Sequence, residues 1–173
     1  MCGRFTQKTP TDQLIAALEL TETPPDLGLR YNIAPSLPVL AVPNRPPRHA
    51  EVFRWGLVPA WAKDPSIGQR LANARSETAA DKPAFREALR KRRCLVLADG
   101  FYEWKTAGNH KLPFYFALRD GAPFAMAGLW EVWQPPAGDG LASVAALHTT
   151  CLLTTDANPV VAEVHDRMPV ILP

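Results

Sequence analysis

The chain opens Met1-Cys2-Gly3-Arg4-Phe5. Removal of Met1 would leave a cysteine at the amino terminus, with an α-amine and a thiol on adjacent carbons. The reference pKa values, about 7.7–8.0 for the amine and about 8.5 for the thiol, leave part of each reactive near neutral pH. A 1,2-aminothiol has a preferred target, the aldehyde. The amine condenses to a Schiff base and the thiol closes on the same carbon, giving a thiazolidine. An internal cysteine cannot do this, because its nitrogen is held in a peptide bond. Gly3 puts no side chain in the way, and Arg4 adds a fixed cation. Alone the motif is weak, because chain starts are often frayed and short motifs arise by chance.

Other residues could serve such chemistry, and each has a bland alternative. Glu103 sits between aromatics in Asp99-Gly100-Phe101-Tyr102-Glu103-Trp104-Lys105. Burial there would disfavour its charge and suit it to proton transfer; otherwise it is a strand-edge acid paired with Lys105. His165 lies beside Asp166 and Arg167, although a lone histidine is usually structural. Asn73-Ala74-Arg75-Ser76-Glu77-Thr78 is a polar cluster in an apolar region, and it must find partners if buried. Arg75 could pair with Glu77 or with a phosphate. Trp55 and Trp61 bracket a Gly/Pro loop; they read first as core and lid, and second as surfaces that stack or wedge bases. Asn32 reads as a turn residue.

The elements that must position these residues are short. Thr9 can cap a helix with Pro10 in its first turn, ending near Leu20. Residues 30–36 read as a loop into a strand over 39–42, and 51–55 as a second strand. Residues 81–93 read as a helix capped by Asp81, whose basic tail complements the helix dipole. Residues 94–98 form a buried strand. A hairpin turns at Gly108-Asn109, and strands are expected over 113–118, 124–130, 141–147 and 148–155, with a loose loop over 134–140. Asn158 caps a short helix.

With 173 residues, 47% of them hydrophobic and 21% charged, a single globular domain is expected. No apolar run is long enough for a membrane span, and the start lacks a signal-peptide pattern. Cys2, Cys94 and Cys151 are odd in number and far apart, which argues against a disulfide framework. A reducing, intracellular compartment and no metal are the expectations. The net charge of +2 permits nucleic-acid binding without requiring it. Eighteen prolines and five tryptophans favour a mixed fold of short strands over a helical bundle.

Six motifs in order resemble the SRAP domain, the SOS-response-associated peptidase-like proteins known as shields of abasic sites. They are Met1–Phe5, Tyr31–Pro35, Trp55-Gly56 with Pro59 and Trp61, Asn73–Arg75 with Glu77-Thr78, Asp99–Trp104, and His165–Pro169. The resemblance implies an α+β fold with a central barrel-like mixed or antiparallel β structure and short flanking helices, spanning residues 1–173. It implies a covalent thiazolidine between mature Cys2 and the ring-opened aldehyde of an abasic site in single-stranded DNA. It makes Glu103 the proton handler, His165 the acid/base for ring opening and reversal, and Asn73 the residue that orients Cys2 and the sugar. Asn32 and Thr154 would line the pocket. Arg4, Arg75 and Arg167 would hold phosphates, and Pro35 and Trp61 would support the DNA-distorting surface. Lys82-Pro83 stands where other members often carry an arginine. No cofactor is implied; a monomer in the cytoplasm, nucleoid-associated when bound to DNA, is the default. Three rivals remain open: an N-terminal-nucleophile amidohydrolase, which would also begin Cys-Gly; a thiol peptidase using Cys2, His165 and Glu103 on its own leader; and a non-covalent single-strand binder.

Overall fold

The computed structural model describes residues 2–20, 22, 24–135 and 145–172. The chain runs β1 (Arg4–Gln7), α1 (Thr11–Ala17), β2 (Arg30–Ile33), β3 (Pro38–Pro43) and β4 (Glu51–Trp55). A 3-10 helix (Pro65–Arg70) leads to β5 (Asn73–Arg75), α2 (Arg86–Lys91), β6 (Arg93–Ala98), β7 (Gly100–Ala107) and β8 (His110–Phe116). Then come β9 (Phe124–Trp133), β10 (Leu147–Asp156), α3 (Pro159–Ala162), β11 (Arg167–Pro169) and β12 (Ile171–Leu172).

Five strands close into a barrel. β4, β3, β6, β9 and β10 pair antiparallel in that order, and a parallel pairing of β10 with β4 closes the ring. The sequence dictates this burial: β3 and β6 are nearly continuous apolar runs, as strands covered on both faces must be. β5 and β11 extend the barrel along β10, and β12 pairs with β9. A separate antiparallel sheet, ordered β2-β1-β7-β8, follows from β6 through Asp99. The α+β architecture with a mixed barrel is as the sequence motifs imply. Among the described residues no helix is long and apolar enough to cross a membrane.

Two packing devices hold β1, and with it Cys2, in place. Trp55 is fully buried, its indole N–H donates to the Ala72 carbonyl at 2.8 Å, and its ring meets Phe5 edge-on at 5.0 Å. Asp99, also fully buried, accepts from the Thr6 hydroxyl at 2.5 Å and from the Thr9 N–H at 2.7 Å.

Several local expectations need correction. Thr9 does not cap α1; its N–H is taken by Asp99, and Pro10 fills the cap position without a side-chain bond. α1 stops at Ala17 rather than near Leu20. Residues 30–33 are strand, because their backbone pairs with β1. The helix expected over 81–93 is only α2. Before it the chain makes successive turns, with Asp81 and Lys82 donating back to the Thr78 carbonyl. Pro83 disfavours a helical Lys82 and delays the start. The expected strand over 141–147 and loop over 134–140 fall largely outside the described residues. Asn158 caps α3 as expected, accepting from Val161 N–H at 2.9 Å.

Candidate active site and nucleic-acid interface

Cys2 stands at the head of β1, fully buried, with its thiol directed at the Arg4 carbonyl at 3.6 Å. Burial pushes the thiol up to about 12, and the Glu103 charge adds to that rise. The carboxylate is therefore close enough to be felt electrostatically. The strand register explains this: Arg4 pairs with Tyr102, and Glu103 is the next residue of β7. Glu103 is 2% exposed, turned inward between two outward aromatics, while Lys105 is exposed. Its environment is that of the interior, not of a strand-edge ion pair.

Asn73 enters from β5. Its amide nitrogen donates to the Cys2 carbonyl at 2.8 Å. Its amide oxygen is buried without a hydrogen-bond partner. Such an atom is costly to leave unmet and is a ready acceptor for an incoming N–H or O–H. The Asn73 position also opens onto a groove of about 460 Å³ with Trp61, Arg70, Arg75, Lys82, Pro83 and Phe85 among its lining residues. Three of these are cations. Trp61 is 62% exposed, and Arg75 and Lys82 are exposed.

A second group adjoins the first through β5, whose Asn73 and Arg75 pair with Leu152 and Thr154 of β10. His165 accepts the Arg167 backbone N–H on Nδ1 at 3.0 Å, and Nδ1 also lies 2.9 Å from Asp166 Oδ1. The first contact needs a bare nitrogen and the second a protonated one. The backbone donor is held by β11, whereas Asp166 is 83% exposed.

Two residues expected to contact DNA lie deep in the structure. Arg167 is 5% exposed. Its guanidinium grips Glu77 through two bonds of 2.9 Å, Asp156 at 2.6 Å and the Thr154 carbonyl at 2.7 Å. With two carboxylates on it, the cation braces β10 and β11. Bidentate pairing also holds Glu77 down at about 2. Thr154 is fully buried and donates to the Ala74 carbonyl at 3.4 Å. Arg4 is half-buried, its guanidinium on the Gly3 carbonyl at 2.7 Å. Asn32 is exposed and Pro35 half-buried at the end of β2, the strand beside β1. Arg70 was not singled out by sequence; its position just ahead of the Asn73–Thr78 cluster was the only signal. Among the described residues no group of three metal-ligating side chains is found.

The chain is similar to known proteins in sequence and in fold. The family model described as SOS response associated peptidase (SRAP) matches residues 1–173. An abasic site processing protein of Bacillus subtilis, YoaM, is 42% identical over 99% of this chain and 75% of its own length. The Escherichia coli abasic site processing protein YedK is 33% identical over 99% of this chain and 75% of its own. A crystal structure of a Bacteroides thetaiotaomicron protein superposes with a TM-score of 0.84 at 25% identity, covering 99% of this chain and 77% of that one. A Bordetella bronchiseptica structure does so at 0.80 and 26%, covering 99% and 84%. A family match over the whole sequence, with the same barrel beneath it, leaves one assignment: this chain belongs to the SOS response associated peptidase family.

Proposed function

We propose that this chain captures abasic sites in single-stranded DNA through a thiazolidine on Cys2. The observation that carries the reading is Asn73, which lines the cationic groove and whose side chain holds the Cys2 carbonyl at 2.8 Å. The relatives named for abasic site processing support it. Loss of Met1 frees the Cys2 amine. His165 moves a proton as the sugar ring opens to the aldehyde. The amine adds to the carbonyl carbon, and water leaves as the C=N bond forms. The sulfur then adds to that carbon, and its proton ends on the ring nitrogen. Glu103 relays these protons, which suits a thiol that burial and a neighbouring charge keep protonated at neutral pH. Asn73 Oδ1 accepts from the reacting amine or sugar hydroxyl. Arg75, Arg70 and Lys82 hold phosphates without reading sequence, fitting a lesion that has no base. A missing base also removes the unstacking penalty of entry.

The test incubates the Met1-processed chain with single-stranded oligonucleotides containing or lacking an abasic site, and follows adducts by denaturing gel and intact mass. A covalent adduct is expected with the lesion only. It is lost in Cys2→Ala or when Met1 is retained, and slowed at least tenfold in Glu103→Gln. An adduct that survives Cys2→Ala would overturn the reading. Ammonia release from glutamine would favour the amidohydrolase, and cleavage of a leader peptide the thiol peptidase.

A further inference from the structure

The four-stranded sheet has a second face that the reaction does not use. Strand register separates the two faces cleanly. Phe5 opposite Phe101 points inward, so Arg4 opposite Tyr102 and Thr6 opposite Gly100 point outward. Across β7 and β8, Tyr102 faces Tyr115, Trp104 faces Pro113 and Thr106 faces Lys111 on that same outer side. The outer face thus presents a cluster of three aromatic rings. Tyr102 and Tyr115 are 5.1 Å apart and Tyr102 and Trp104 6.4 Å apart. None of the outward register positions of β1, β7 and β8 holds an acid, whereas Arg4 and Lys111 are cations, and the Lys8 ammonium sits 5.0 Å from the Tyr115 ring centre.

The rings are fixed before anything binds. A Cβ on Gly100 would lie 2.0 Å from the Tyr115 hydroxyl, so only glycine lets this ring lie across β7. The hydroxyl is then held 3.1 Å from Thr6 Oγ1 and donates to the Asp99 carbonyl at 3.2 Å. Tyr102 donates to the Tyr31 carbonyl at 3.3 Å, spanning β1 to reach β2. Tyr115 nevertheless stays 40% exposed and Tyr31 58% exposed. The Asp99 carboxylate near this face is already taken up by the Thr6 hydroxyl and the Thr9 N–H, and aromatic area beside cations suits a ligand that is both flat and anionic. The face also begins at Arg4, two residues (about 7 Å along an extended strand) from Cys2.

From this geometry we infer that the outer face of the β2-β1-β7-β8 sheet is a stacking platform for unpaired bases of a single DNA strand. Tyr102, Trp104 and Tyr115 supply the ring faces, and Lys8 and Lys111 the phosphate contacts. It rests on the reading of single-stranded DNA as the partner and extends it to the intact nucleotides flanking the lesion.

The test uses a fluorescein-labelled twelve-residue oligothymidylate without a lesion and the Cys2→Ala chain, so that no crosslink contributes. Fluorescence anisotropy is measured over a salt series. Tyr115→Leu and Trp104→Leu should each weaken binding by about fivefold or more, as loss of one stacked base does. Tyr115→Phe keeps the ring and should bind like the parent. Lys8→Ala should reduce the slope of log affinity against log salt by about 0.7. Trp104 makes no hydrogen bond that braces β1, so its variant keeps the test valid if Tyr115→Leu unfolds. Parental affinity in Trp104→Leu and in any folded Tyr115→Leu would overturn the platform. Crosslinking of a lesion-bearing trinucleotide, measured in parallel on the Cys2 chain, separates the two proposals. If it persists while the leucine variants bind normally, only the platform fails. If it is absent while they lose affinity, only the covalent reading fails. Self-association that is lost in the leucine variants, with no response to the oligonucleotide, would assign the face to a second copy of the chain and overturn the inference.

Discussion

At the scale of single residues, the site is defined by what surrounds Cys2. The thiol is held near 12 chiefly by burial and secondarily by the Glu103 charge. Both effects oppose the thiolate. Replacing Glu103 with Gln removes only the second, so the thiol pKa should fall yet stay above its ordinary value. Iodoacetamide alkylation of Cys2 at pH 8–9, followed by mass spectrometry, should then be faster in Glu103→Gln than in the parent, although crosslinking is slower. Equal alkylation rates would show that the carboxylate does not act on the sulfur. The opposite signs of the two effects separate an electrostatic neighbour from a proton relay. Glu103 and Asn73 were legible as candidates because a polar residue among apolar ones must be satisfied or used. The Arg167 clamp was not legible, because its carboxylate partners, Glu77 and Asp156, lie 90 and 11 residues away in sequence.

At the scale of elements, the loop bearing Trp61 and Arg70 is held by two glycines in backbone contact. Gly56, at φ +123°, ends β4, and a Cβ there would lie 2.5 Å from the Gly68 carbonyl oxygen. A Cβ on Gly68 would lie 2.6 Å from the Gly56 oxygen. Gly68→Ala should therefore push the 3-10 helix off the barrel, costing about 1–3 kcal/mol as overpacking does. Urea denaturation would read that loss. DNA affinity should fall as well, since Trp61 and Arg70 move with the helix. A stable variant with unchanged affinity would show that the groove does not depend on this contact. Alternation in the sequence gives the strand at 51–55 to the residue, whereas α1 and α2 are shorter than their sequence patterns suggest. Propensity and capping residues favour a helix start at Asp81, but turns closing on the Thr78 carbonyl win there.

At the scale of the whole molecule, the barrel holds its free thiols neutral. Cys94 is pushed up to about 12 and Cys151 higher still, in both cases by burial first, and Cys2 adds a third. Each pKa is raised in the folded state. The stability they contribute is therefore complete below the ordinary thiol value near 9 and is lost as pH rises from there towards 12. The acid side has the opposite sign. Glu77 is held down at about 2, so its contribution is present above its ordinary value of 4.5 and fades as pH falls towards 2. Thermal melts across pH should be flat through neutrality and fall at both ends. The alkaline fall should shrink in Cys151→Ala once that variant's own neutral-pH loss is subtracted. A melt that stays flat to pH 11 would contradict the buried thiols.

Sequence alone determined the chemistry on offer and the class of fold. A cysteine after Met1, a glutamate between aromatics and the order of six motifs are local properties, written in neighbouring residues. Tertiary structure alone decided which groups meet. Antiparallel register brings Glu103 beside Cys2, β5 carries Asn73 onto the Cys2 carbonyl, and β11 turns Arg167 inward onto two carboxylates. All but the Arg167–Asp156 pair join segments some 70 to 100 residues apart, and the tertiary fold creates them. No local propensity encodes a distance across a closed sheet.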